Sequence, residues 1–120
     1  METQTLEEKF KAVIEHDGDE KYIVASVGKG GSLRHVLVSL PIKSHSGIER
    51  ACRGRLDGEA NTMKVLGGGI LTLDRDAKTI KTYGQSGSYG KPDVDLIRQI
   101  LETNFPDYTI DAQVTDYIRC

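Results

Sequence analysis

The sequence predicts an α+β domain: a mixed or antiparallel sheet of about five or six strands with two helices packed on it. Three observations lead there. Strand-sized runs of β-branched and aromatic residues recur along the chain. Two later segments carry helical periodicity. Strands and helices do not alternate in the regular way that builds a parallel βαβ sheet. At 120 residues there is room for one hydrophobic core, so residues 1–120 are expected to form a single domain.

The elements follow in chain order. Leu6, Phe10, Val13 and Ile14 make an approximate helical stripe after Thr5, and equally suit an N-terminal arm that becomes a strand towards Val13. His16-Asp17-Gly18-Asp19 is a turn by composition. Lys21 to Val27 reads as a strand, Gly28 to Ser32 as a flexible loop, and Arg34 to Leu40 as a second strand ended by Pro41. Ser46-Gly47-Ile48-Glu49 has the form of a capping box, in which the hydroxyl and the carboxylate each satisfy a backbone N–H at a helix start. That helix would pass through Ile48, Ala51, Cys52 and Leu56 and stop near Gly58.

Thr62 to Leu66 leads into Gly67-Gly68-Gly69, and Ile70 to Leu73 follows. Asp74 to Lys78 is a hairpin turn and Thr79 to Tyr83 its return strand. A Gly- and Ser-rich loop covers residues 84–90. Asp93 to Thr103 then places Val94, Ile97, Ile100 and Leu101 on one helical face, with Pro92 near the start. Phe105-Pro106-Asp107 ends it, and Tyr108 to Ile118 alternates loosely as a last strand.

Composition limits the function classes. The net charge of −2 argues against a generally basic nucleic-acid surface. No apolar run approaches the ~20 residues that span a bilayer, and no basic-then-apolar leader opens the chain. A cytoplasmic protein is therefore expected, with no membrane or nucleic-acid partner, and a monomer is the expected state. In that compartment Cys52 and Cys120 are expected as thiols, not as a disulfide. No Cys/His spacing resembles a zinc site, so neither a metal nor another cofactor is expected.

Three histidines are the candidates for base or nucleophile chemistry near neutral pH. His16 lies in an acidic turn, where a solvated side chain is expected. His35 begins an apolar strand, where a structural histidine is expected. His45 stands just before the proposed helix start, facing unpaired N–H groups and a positive dipole end, a place that favours a neutral imidazole and an incoming anion together. The Gly84-Gln85-Ser86-Gly87-Ser88-Tyr89-Gly90 loop can turn its N–H groups inward as an anion nest, or be an ordinary connection. The glycine triplet equally suits a bulge, a close backbone approach or a ligand-facing surface. Lys21 is either a solvated charge or the cation of a phosphoryl site.

These pieces, in their order, resemble the phosphohistidine phosphatase family that includes the janus and ocnus proteins. The motifs are Asp17-Gly18 with Lys21-Tyr22, Leu66-Gly67-Gly68-Gly69, Lys78-x-Ile80, Tyr83-Gly84-x-Ser86, Tyr89-Gly90 and Phe105-Pro106-Asp107-Tyr108. The resemblance implies metal-independent removal of phosphate from phosphohistidine in proteins. It implies a catalytic role for His45, phosphate binding by Lys21, and a phosphate turn at Ser86-Gly87-Ser88. The partners it implies are phosphohistidine-containing proteins. The chain departs from the family pattern at three places. Ser44 stands where a Tyr precedes the histidine, Ile70 where an Arg follows the glycines, and Leu37-Val38 where an upstream Arg-Gly is usual. These losses keep a second expectation open, a phosphoprotein-binding regulator of the janus type that does not catalyse.

Overall fold

The computed structural model of the chain describes residues 9–29, 32–56, 62–87 and 89–113. The element order is β1 (Phe10–Ile14), β2 (Gly18–Lys29), β3 (Ser32–Ser39), α1 (His45–Leu56), β4 (Thr62–Asp74), β5 (Thr79–Tyr83), α2 (Val94–Asn104) and β6 (Thr109–Ala112). The strands form one six-stranded sheet in the order β1-β3-β2-β4-β5-β6. Its interior pairs are antiparallel, while β1 joins β3 and β6 joins β5 in parallel. The expected α+β architecture is the observed one, and the sheet is mixed.

Strand β2 shows why the sequence reads as it does. Successive side chains of a strand point to opposite faces. Tyr22 and Val24 join Leu37, Leu71, Leu73 and Ile80 beneath Ile97, Ile100 and Leu101 of α2. Ile23, Ala25 and Val27 join Val36, Val38 and Leu40 beneath Ile48 and Cys52 of α1. With a helix on each face, both sets are buried, which explains the unbroken apolar run where a one-sided strand would alternate. Each fully buried Leu or Ile contributes roughly 1.5–3 kcal/mol.

Helix α2 begins as the sequence suggests. Asp93 is its N-cap and accepts from the Asp95 N–H at 2.9 Å, and the Phe105 N–H closes the other end on Leu101. Helix α1 does not begin with the expected capping box. The Ser44 hydroxyl, not that of Ser46, accepts from the Gly47 N–H at 3.0 Å, and the Ser44 carbonyl takes the Ile48 N–H. His45 is therefore the first helical residue, and Glu49 is released for other contacts.

Three further expectations are corrected, and one that stood open is decided. The loop at Gly28 is strand: β2 runs on to Lys29, which pairs with Ser32 at the start of β3. Lys21 lies inside β2, since Gly18 already pairs with Leu73. Residues 10–14, which suited either a helical stripe or a strand, are strand, and Phe10, Ala12 and Ile14 share one face of the sheet against the α2 core. The last strand is short, Thr109–Ala112. Gly58, Cys120 and residues 114–118 lie outside the described residues. Among the described residues no helix is long and apolar enough to cross a membrane.

Strand β4 passes through the glycine triplet without ending. Val24 pairs with Gly67 and Ala25 with Val65, so Leu66 is the extra residue of a bulge. A Cβ on Gly67 would lie 2.7 Å from the Pro92 backbone, and one on Gly69 2.8 Å from the Tyr83 carbonyl. At Gly68 it would meet the Tyr22 carbonyl at 2.6 Å and His45 Cδ2 at 2.9 Å. Gly54 in α1 is the opposite case, with open space around its Cβ position.

These two glycines predict opposite signs in denaturant unfolding. Gly68→Ala should destabilise by about 1–3 kcal/mol, because backbone atoms must move to admit the methyl. Gly54→Ala should stabilise by up to about 1 kcal/mol through helix propensity. A neutral Gly68→Ala would show that the close approach at His45 is not tight.

Candidate functional site

The site lies where the N-terminus of α1 meets the glycine triplet. Ser44 starts the helix, so His45 occupies its first turn with its ring against the Cα of Gly68. The side chain is 3% exposed. Its Nε2 lies 3.0 Å from the Gly69 carbonyl. A carbonyl can only accept, so Nε2 carries the proton and Nδ1 holds the lone pair. Burial pulls the imidazole below the ordinary histidine pKa. The Gly69 hydrogen bond works in the other direction, and the Lys21 ammonium lowers it further. The positive end of α1 also disfavours a second positive charge there. Burial, the Lys21 charge and the helix end thus all favour the neutral imidazole.

Alternation along β2 places Lys21 on the same face as Ile23 and Ala25, the α1 face, where its charge bears on His45. Its register partner in β4 is Ile70, which in turn pairs with Tyr83 of β5. The position where the family pattern has an arginine is thus beside Lys21 and carries no charge.

The Gly/Ser turn is tied to the same glycine. Ser86 N–H donates to the Gly68 carbonyl at 2.8 Å, and Gly68 N–H donates to the Gly90 carbonyl at 3.3 Å. Gly90 N–H closes the turn on the Ser86 carbonyl, and Tyr89 N–H donates to Ser86 Oγ at 3.0 Å. Gly90 has φ +83°, which a side chain would oppose. Ser86 is buried at 2% and its N–H is spent on Gly68, so what it visibly does is hold the shape of the turn. Gly87 stands exposed. Ser88, the third expected phosphate contact, lies outside the described residues.

The other histidines are on the far face. His35 pairs with Phe10 across β1–β3 and stacks on it with ring centroids 6.1 Å apart, in the structural role expected. His16 is not a solvated turn residue. Ser39 Oγ donates to the Lys21 carbonyl at 2.9 Å, so the 2.6 Å contact between them makes His16 Nε2 the donor to Ser39. Among the described residues no group of three or more His, Cys, Asp or Glu side chains gathers closely enough to hold a metal ion.

Sequence reasoning missed the pairing of Glu49 with Tyr89. Glu49 receives the Tyr89 hydroxyl and the Arg53 guanidinium, not its own helix N-terminus. The partners are 40 residues apart, and nothing local signals the pair.

The sequence profile of the Janus/Ocnus family matches residues 7–109, and the chain belongs to this family. The sex-regulated protein janus-A of Drosophila erecta is 30% identical over 113 residues, covering 87% of this chain and 78% of that protein. Janus-A of Drosophila orena matches to the same extent. The sex-regulated protein janus-B of Drosophila erecta is 26% identical over 101 residues, 80% of this chain and 72% of that protein.

The His45 environment predicts a definite titration. Its NMR midpoint should fall below the ordinary histidine value of about 6.5. The sign for stability follows. The unfolded state takes up this proton at higher pH than the folded state. The His45 contribution is therefore complete above about pH 6.5 and is lost as pH falls towards the folded value. Lys21→Ala removes a like charge and should raise the midpoint. A midpoint unchanged or lowered by Lys21→Ala would separate the two residues.

Proposed function

We propose that this protein hydrolyses phosphohistidine in other proteins, with His45 Nδ1 as the reactive atom. One observation carries the reading. A buried histidine donates Nε2–H to the Gly69 carbonyl and so keeps a lone pair on Nδ1, while its ring feels the Lys21 charge and lies on the Gly68 that holds the Gly/Ser turn. Family membership supports it through the resemblance that Lys21, His45 and the turn bear to the phosphatase pattern.

In this reading the phosphoryl group sits between Lys21 and the turn, where the Gly87 N–H supplies a donor and Ser86 keeps the turn closed. Lys21 supplies the full positive charge. Little covalent work is needed, because positioning and charge neutralisation dominate phosphoryl transfer. As a base, Nδ1 takes a proton from water while the water oxygen bonds to phosphorus. The P–N bond breaks, its electron pair returns to the substrate imidazole, and that ring takes up a proton as it leaves. As a nucleophile, the same lone pair bonds phosphorus as the substrate P–N bond breaks and the protonated substrate imidazole leaves. Water then cleaves the new P–N bond to release phosphate from His45. Both routes need Nδ1 unprotonated, the state that burial and Lys21 favour.

A binding role without turnover is favoured by one feature, the uncharged Ile70 beside Lys21. Turnover of a phosphohistidine peptide distinguishes the two. Wild type should release phosphate, and His45→Ala should lower kcat by ~100-fold or more while remaining folded. Lys21→Ala should reduce kcat/KM by roughly 2 kcal/mol, the scale of a charge-assisted contact. Chelator should leave the rate unchanged. Binding of the peptide by wild type with no phosphate release would favour the regulatory role.

A further inference from the structure

We propose that Tyr89 is a positioning residue whose hydroxyl, bound to Glu49, locks the phosphate turn to the helix that carries His45. Glu49 is one helical turn beyond His45, on the same side of α1. The Tyr89 hydroxyl donates to Glu49 Oε1. Glu49 Oε2 receives Arg53 Nε at 2.8 Å and lies 2.6 Å from its Nη2. Arg53 Nη2 also donates to the Met63 carbonyl of β4 at 3.1 Å. The acid is thereby held from two sides, and the Tyr89 ring packs on the core cluster that contains Ile48.

The contacts form a closed circuit. The His45 ring lies on Gly68, and Gly68 holds both ends of the turn through its N–H and carbonyl. Tyr89 in the turn reaches Glu49, and α1 returns from Glu49 to His45. The separation between Nδ1 and the turn is therefore set twice, once through Gly68 and once through Tyr89. A charge-assisted hydrogen bond suits this task, because it is stronger and more directional than a neutral one. The Tyr89 bond is also the leading influence holding the Glu49 carboxyl below its usual range.

The catalytic half of this inference rests on the phosphohistidine reading, and the structural half does not. The test is amide hydrogen exchange at Ser86 and Gly90, with steady-state kinetics on a phosphohistidine peptide, for wild type, Tyr89→Phe, Glu49→Ala and the double variant. Tyr89→Phe keeps the ring and removes the hydroxyl. It should speed exchange at both amides by ~10-fold with the global unfolding midpoint nearly unchanged. The double variant should be no faster than Glu49→Ala, since both break one link. KM should rise more than kcat falls in Tyr89→Phe, as expected when the turn is loosened and the base is intact. Faster exchange in a series whose wild type releases no phosphate would keep the lock and remove the phosphatase reading. Unchanged exchange and KM in Tyr89→Phe would overturn the lock.

Discussion

The site depends on β4 having no side chains at residues 67–69. A strand in the middle of a sheet normally presents Cβ atoms to both faces, and three such atoms here would strike neighbouring groups. Their absence lets Pro92 settle on one face, the His45 ring on the other, and the Tyr22 ring against Gly69. It also brings the Gly69 carbonyl within reach of His45 Nε2. One backbone feature thus fixes the ring position, selects its tautomer and anchors the turn. The cost is a strand interior that loses conformational entropy and packing, and the bulge at Leu66 is the local sign of that compromise.

From this constraint the electrostatics follow. A histidine pressed onto backbone, with a lysine on the same sheet face, is held neutral, and its remaining lone pair belongs to Nδ1. The chain has a net charge of −2, so positive charge at the site is local. Lys21 is the charged member of its register pair with Ile70. The basic side chain of Arg53 is engaged with Glu49 and Met63, in support of the turn.

Much of the fold was legible because local patterns and tertiary burial agree. The Val94–Asn104 helix, with its Asp93 cap and its stripe at 94, 97, 100 and 101, is such a case. So is the Asp74–Lys78 hairpin, where Asp74 accepts from the Ala77 N–H and Lys78 has φ +54°. The start of α1 was misread because Ser44 and Ser46 both suit a cap, and the choice rests on where Glu49 finds its partner. The extension of β2 to Lys29 was hidden by glycines whose strand state comes from pairing, not propensity. His45 and Lys21 were visible as a pair only through family resemblance, and the turn's dependence on Gly68 and Tyr89 was not visible at all. Those contacts join residues distant in sequence, and composition carries no trace of them.

The central claim is that His45 presents an unprotonated Nδ1 to a phosphoryl group held by Lys21 and the turn. The most direct measurement is a ¹⁵N–¹H correlation spectrum of the His45 ring near neutral pH, with and without inorganic phosphate. The account predicts a protonated Nε2 and a lone-pair Nδ1, with phosphate shifting the Nδ1 signal and the Gly87 amide together. A ring protonated at Nδ1, or a phosphate response confined to residues away from His45, would contradict it.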